Sequence, residues 1–312
     1  MSNYVPIRLS TIRSEKALDF SVYIKLPSKY LLYLNSGDAL DEERIESLKE
    51  RKVKRLYIAD IDEEAYLEFL DRALQEFKED PGPAPDKKAS LIAGYASNAI
   101  EEVRRDPSSE KAFERTKNAA EGILEVISRD PAVLLELFKH EDDDQEADVL
   151  LRSGVKVSTL AMKFAQSLEL KKETIHEIGI AALLRDIGAT KYPSVYATKT
   201  EEHSAEEEKI YRQHPNDTVK ALSDREFISE KILKLIQTHE ETLAGTGFPG
   251  KLTFLTQEEQ ILSLVSAYDR MVTIDRIHYF EALKTLKIEQ VGHYNLELLE
   301  KLSKLLVVEG LI

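Results

Sequence analysis

Ten residues, EDPGPAPDKK (Glu79–Lys88), divide the chain into two parts whose hydrophobic periods differ. Three prolines and a glycine in that run remove backbone donors and fix φ, so it is expected to be a stiff, extended linker rather than helix. Before it, VPIRLSTI and LDFSVYIKL alternate roughly by two and KYLLYL follows, which predicts three short strands, with LPSKY turning the second into the third. SGDALDEERIESLKERKV offers Asp38 or Asp41 as an N-cap, with Ile45 and Leu48 at helical spacing. VKRLYIAD then predicts a strand and IDEEAYLEFLDRALQEF a helix, so residues 1–78 form a small α+β domain of order β-β-β-α-β-α.

Beyond the linker the apolar residues recur at i, i+3/i+4 and i+7. ASLIAGYASNAIEEVRR, SEKAFERTKNAAEGILEVISR and PAVLLELFKHEDDD predict connecting helices over 89–146. The acidic run EDDDQEAD (Glu141–Asp148) is expected to be a solvated helix cap rather than a metal loop. Residues 147–312 carry five or six more helical patterns, including DVLLRSGVKVSTLAMKFAQSLEL, TIHEIGIAALLRDIG, EKILKLIQTHEE and TQEEQILSLVSAYDRMVT, with AEEEKIYRQHPNDTVKAL predicted as one helix. No internal repeat is visible. The expected fold is mainly α, an all-α C-terminal bundle preceded by a small α+β domain.

A length of 312 residues suits two domains, and 42% apolar residues are enough to build cores. The absence of cysteine excludes disulfides, thiolate zinc sites and cysteine nucleophiles, and fits a reducing, cytoplasmic setting. No signal peptide is recognisable, and no apolar run is long enough to span a bilayer, so no membrane partner is expected. The formal net charge of −14 argues against binding duplex nucleic acid, though a local basic pocket for a small phosphorylated ligand is compatible with it.

Three groups of candidate ligands stand near helix ends: Asp186 in LLRDIGATKYP, His214 in RQHPND, and His239 with Glu240 and Glu241 in THEETLAGTGFPG. Separations of 28 and 25 residues fit one ligand per successive helix of a bundle, which is how bundles commonly build metal sites. Mixed nitrogen and oxygen donors suit iron, manganese or zinc. Taken singly, each of these residues is more often a surface or capping group. Arg185, immediately before Asp186, is a cation where a dication would be repelled. AGTGFPG (Ala244–Gly250) is a constrained loop whose N–H groups could approach an anion, but it lacks a P-loop lysine. No G-x-S-x-G elbow is present.

Taken in order, these stretches resemble the HD-GYP family, metal-dependent phosphodiesterases of the bacterial second messenger cyclic di-GMP, over residues 147–312. GIAALLRDIGATKYP is similar to that family's ALLHDIGK stretch and following proline, and RQHPNDTVKAL to its next His-bearing helix. HEETLAGTGFP is similar to HHExxDGxGYP, SAYDRMVT to its aspartate-bearing helix, and GHYNLELLEKL to its closing helix. Residues 1–78 resemble the small module that often precedes such domains.

The resemblance implies a metal site with several departures. The first-helix histidine aligns with Ser153, or with Arg152 after a one-residue slip. The histidine of the HD pair is Arg185, and the second of the paired histidines is Glu240. The final aspartate is Ser266, while Asp269 matches a second, structural acidic position. The lysine after the HD pair is Ala189, with Lys191 near, the aspartate before the glycine loop is Ala244, and the signature tyrosine is Phe248. Asp186, His214, His239 and Glu240 are left as candidate ligands of at most one iron, manganese or zinc ion, Asp186 being the catalytic candidate if the chain is active. A bridged two-ion site lacks ligands. An Arg185–Asp186 bidentate pair in place of metal and ligand is the economical expectation, with no cofactor. Arg185, Lys191, Thr246 and Phe248 are the candidate contacts to cyclic di-GMP. The implied function is a catalytically silent signalling module working with a protein partner or as a homodimer. The alternatives are a residual single-metal phosphodiesterase and a non-hydrolysing sensor of cyclic di-GMP.

Overall fold

A computed structural model describes residues 3–79, 84–139 and 149–312, and the chain divides into two compact units, 1–95 and 96–312. The acidic run and part of the linker fall outside the described residues.

The first unit has the expected element order: β1 (Tyr4–Arg8), β2 (Val22–Leu26), β3 (Lys29–Leu34), α1 (Glu42–Glu50), β4 (Arg55–Ala59) and α2 (Glu63–Glu79). Its antiparallel sheet runs β1-β4-β2-β3. Leu26 faces Lys29, so Pro27 and Ser28 alone make the hairpin turn. Asp41 rather than Asp38 caps α1, its carboxylate accepting from Arg44 N at 2.7 Å. One sheet face carries Ile7, Val22, Leu56 and Ile58 into a core shared with Leu70 and Leu74 of α2, where Phe20 meets Tyr66 and Phe69 edge-on. Each such fully buried side chain contributes about 1.5–3 kcal/mol relative to exposure.

The linker is shorter than the sequence suggests. Helix α2 continues through Glu79, and α3 (Pro85–Arg105) begins on the last of the three prolines. Proline is tolerated in a first helical turn, where the missing N–H has no intrahelical partner to lose.

In the second unit α4 (Glu110–Arg129), α5 (Pro131–Lys139), α6 (Val149–Ser167) and α7 (Lys172–Leu184) are followed by α8 (Pro193–Ala197), α9 (Ala205–Tyr211), α10 (His214–Leu222) and α11 (Glu230–Thr238), and then by α12 (Gln257–Thr273), α13 (Tyr279–Lys284) and α14 (Leu296–Val308). Helix α7 buries Ile175, Ile178, Ile180, Leu183 and Leu184 on more than one side, as a helix must when packed against α4, α6 and α11 together. It is the spine on which the site is hung. The stretch expected to be one helix over 205–222 is two, α9 and α10, because Pro215 supplies no donor and its ring excludes a continuous helix there. The break puts His214 at the first position of α10. No helix among the described residues is long and apolar enough to cross a membrane.

Candidate metal centre

Asp186 follows the end of α7, His214 opens α10, and His239 closes α11. Gly188 brings the first two together. A Cβ there would lie 2.5 Å from His214 O and 2.6 Å from Thr218 N, so only glycine lets α10 approach this closely. Thr218 secures the approach: its Oγ1 accepts from Gly188 N at 2.8 Å and reaches Arg185 O and His214 O, each at 2.9 Å.

The two imidazoles are oriented by backbone carbonyls. His214 Nδ1 lies 2.6 Å from Tyr211 O, and His239 Nδ1 lies 2.6 Å from Ile236 O. A carbonyl oxygen only accepts, so each Nδ1 carries the proton and each Nε2 presents a lone pair. Those lone pairs face one another at 3.0 Å, an arrangement that needs something electropositive between them. Asp186 Oδ1 lies 3.4 Å from His214 Nε2 and 3.6 Å from His239 Nε2, and it is buried with no hydrogen-bond partner. A point equidistant from three atoms so spaced lies about 1.9 Å from each, and a small displacement out of their plane gives the roughly 2.0–2.2 Å of zinc–nitrogen and zinc–oxygen bonds. The donor set fits one transition-metal ion, and these three residues form a group able to hold it.

The other oxygen of Asp186 is already engaged. Oδ2 accepts from Tyr196 OH at 2.7 Å and forms an ion pair with Arg185 Nη2 at 3.1 Å. Arg185, only 2% exposed, also donates to Ala182 O at 2.7 Å and to Ser153 Oγ at 2.5 Å, and Ser153 in turn donates to Asp269 Oδ2. The expected bidentate pair is therefore a single contact to one oxygen, because the second nitrogen of the fork is spent on the end of α7. Arg185 neutralises half of the carboxylate and leaves the other half facing the histidines.

Burial alone would raise the Asp186 carboxyl, but the Arg185 guanidinium beside it, with His239 and His214, holds it well below the usual carboxylate range. Burial and the neighbouring His239 push His214 down to about 4. Burial outweighs Arg185 at Asp269 and raises it.

Glu240 stands just outside the donor group. Its Oε1 is 3.9 Å from His214 Nε2 and 3.8 Å from His239 Nε2, and it accepts from Tyr211 OH at 2.7 Å. Phe248 packs its ring edge-on against Tyr211 and His214, with Arg212 over its face. Lys191 is exposed, 4.0 Å from Asp217, and Thr246 bonds to Thr242 Oγ1 at 3.0 Å; neither is brought to the centre. The glycine loop meets an anion of the chain's own: Gly250 N and Leu252 N both donate to the buried carboxylate of Glu241.

Tyr196, Tyr211 and Arg270 belong to the site, although no sequence motif singles them out. Both tyrosines are 5% exposed and both contact His214, and Arg270 lies 5.4 and 4.2 Å from their ring centres. Arg270 also donates to Thr200 Oγ1 at 2.9 Å and Thr198 O at 3.2 Å, tying down the segment that covers the histidines. The cleft beside His214, between Gly188, Tyr192, Tyr196, Tyr211 and Asp217, has room for little more than a water molecule.

Comparison with known proteins agrees with this architecture. A family model described as "HD domain" matches residues 136–298. The chain is 27% identical over 242 residues to the cyclic di-GMP phosphodiesterase PA4108 of Pseudomonas aeruginosa, covering 72% of this chain and 56% of that protein. It is 30% identical over 121 residues to the cyclic di-GMP phosphodiesterase PdeB of Borreliella burgdorferi, covering 38% of this chain and 32% of that one. The chain thus spans about half or less of the length of these curated relatives. Among solved structures, Bd1817, an HDG"Y"P protein from Bdellovibrio bacteriovorus, superimposes with a TM-score of 0.81 at 29% identity, covering 97% of this chain and 99% of that one. The family match, the relatives and the shared fold identify the chain as an HD-domain protein of the HD-GYP family.

Proposed function

We propose that this chain is a signalling member of the HD-GYP family that keeps a place for one metal ion and has lost the hydrolysis of cyclic di-GMP, acting in such pathways through a protein partner. The observation that carries the reading is the division of the Asp186 carboxylate, with Oδ1 facing two imidazole lone pairs and Oδ2 bound to a buried guanidinium. Asp186, His214 and His239 would hold the ion. An iron, manganese or zinc ion there would supply Lewis-acid chemistry. Arg185 supplies charge without that chemistry, since a guanidinium neither binds water as a metal does nor deprotonates.

Two further features favour loss of turnover. Tyr196 and Tyr211 pack on His214 and bind the carboxylates of Asp186 and Glu240, which narrows the cleft beside His214 to little more than the volume of a water molecule. Arg185 is spent on Ala182, Ser153 and Asp186, so its charge is directed inward. The test is incubation of the full chain with cyclic di-GMP and added Mn²⁺ or Fe²⁺, followed by chromatography. Unchanged cyclic dinucleotide is expected, and accumulation of the linear dinucleotide would refute the loss of hydrolysis. A residual single-metal phosphodiesterase is the second reading, favoured by the intact three-donor triangle. It requires turnover that disappears in Asp186→Ala and His239→Ala.

A further inference from the structure

We infer that Tyr211 is a positioning residue that keeps one coordination position of the ion open by holding Glu240 away from it. The inference rests on the one-ion reading and concerns a residue on which the sequence patterns are silent. Glu240 follows His239 directly and is, among the described residues, the nearest additional carboxylate to the histidine pair. Its Oε1 stops 3.8–3.9 Å from both Nε2 atoms. It also lies outside the Asp186, His214 and His239 atoms, which are all within 4.8 Å of one another.

A single hydrogen bond restrains it: the Tyr211 hydroxyl donates to that same Oε1 at 2.7 Å. Tyr211 is itself fixed. His203 and Phe248 pack on its ring, Arg270 lies over its face, and its carbonyl accepts a hydrogen bond from His214 Nδ1. One residue therefore orients a ligand through its backbone and withholds a carboxylate through its side chain. The Glu240 side chain is 20% exposed, which leaves it space to move once released.

Coordination chemistry gives the consequence. An ion with three protein ligands keeps a position for water or an added anion, whereas four protein ligands close the site. Beside a cleft with room for little more than a water molecule, the open position suits water or a water-sized anion such as fluoride, and releasing Glu240 would close it.

The probe is Co²⁺ bound to the full chain, followed by visible absorption, with fluoride as the added anion. In the wild type fluoride is expected to change the cobalt spectrum. Tyr211→Phe removes only the hydroxyl and is expected to bind Co²⁺ about tenfold more tightly, the size of outer-shell effects on metal affinity. Its spectrum is expected to stop responding to fluoride. The double variant Tyr211→Phe/Glu240→Gln is expected to recover both the wild-type affinity and the response. A Tyr211→Phe protein with wild-type cobalt affinity and a full fluoride response would overturn the role of Tyr211. Failure of the wild type to bind cobalt would instead overturn the one-ion reading, so the two failures are distinguishable.

Discussion

Replacing Arg185 by methionine probes the feature that separates this centre from a plain His–His–Asp site. The guanidinium is 2% exposed and makes contacts to Ala182 O, Ser153 Oγ and Asp186 Oδ2. Methionine fills much of the volume but supplies no donor. It leaves Asp186 with Tyr196 as its remaining donor on Oδ2 and Asp269 without the Arg185 charge, both carboxylates being buried. Removing one partner of a buried ion pair typically costs about 3–5 kcal/mol, because the other charge stays desolvated. For a unit of this size each kcal/mol lowers the midpoint by about 2–4 °C, so a fall of about 6–20 °C is expected. Thermal and urea unfolding followed by circular dichroism measure it, and a loss below about 1 kcal/mol would mean that the guanidinium does not neutralise the centre. Arg185→Lys is expected to recover only part of the loss, since an ammonium cannot span the same three acceptors in the guanidinium geometry.

Gly188→Ala places a methyl 2.5 Å from His214 O and 2.6 Å from Thr218 N, backbone atoms that have to move. A stability loss of about 1–3 kcal/mol is expected, with weakened cobalt binding, because His214 moves with α10; unchanged cobalt affinity would contradict the role given to this approach. Acid should destabilise the metal-free chain through His214. Its folded-state value is lowered to about 4 from 6.5, so the neutral form is the stable one: the stability is present above pH 6.5 and is lost as pH falls towards 4. Each tenfold weakening of proton binding in the folded state corresponds to about 1.4 kcal/mol, giving a loss of about 3 kcal/mol that urea titrations at stepped pH should register and that His214→Asn should abolish.

The strands, an aspartate cap at Asp38 or Asp41 and the long helices are legible because period-2 and period-3.6 patterns and capping chemistry are local; the structure selects Asp41. So were the three residues of the donor triangle, whose spacing places one at the end of each of three helices. The pairing of Arg185 with Asp186 follows from adjacency and charge. Its one-oxygen geometry does not, because it depends on Ala182 and Ser153 taking the rest of the guanidinium. Tyr196, Tyr211 and Arg270 are hidden for the same reason: only the fold packs both tyrosines against His214 and lays Arg270 over their rings. The break before His214 was written in Pro215, yet the flanking apolar spacing suggested one continuous helix. The glycine loop looked like a site for an external anion and instead wraps Glu241, a partner that local pattern alone does not identify.

The central claim is a single ion held by Asp186, His214 and His239, with Arg185 beside it. Metal analysis of the full chain after loading with excess Mn²⁺, Fe²⁺ or Zn²⁺ and removal of unbound ion tests it most directly. One equivalent per chain is expected, lost in His239→Ala. Two equivalents, or none in the wild type, would contradict a one-ion centre.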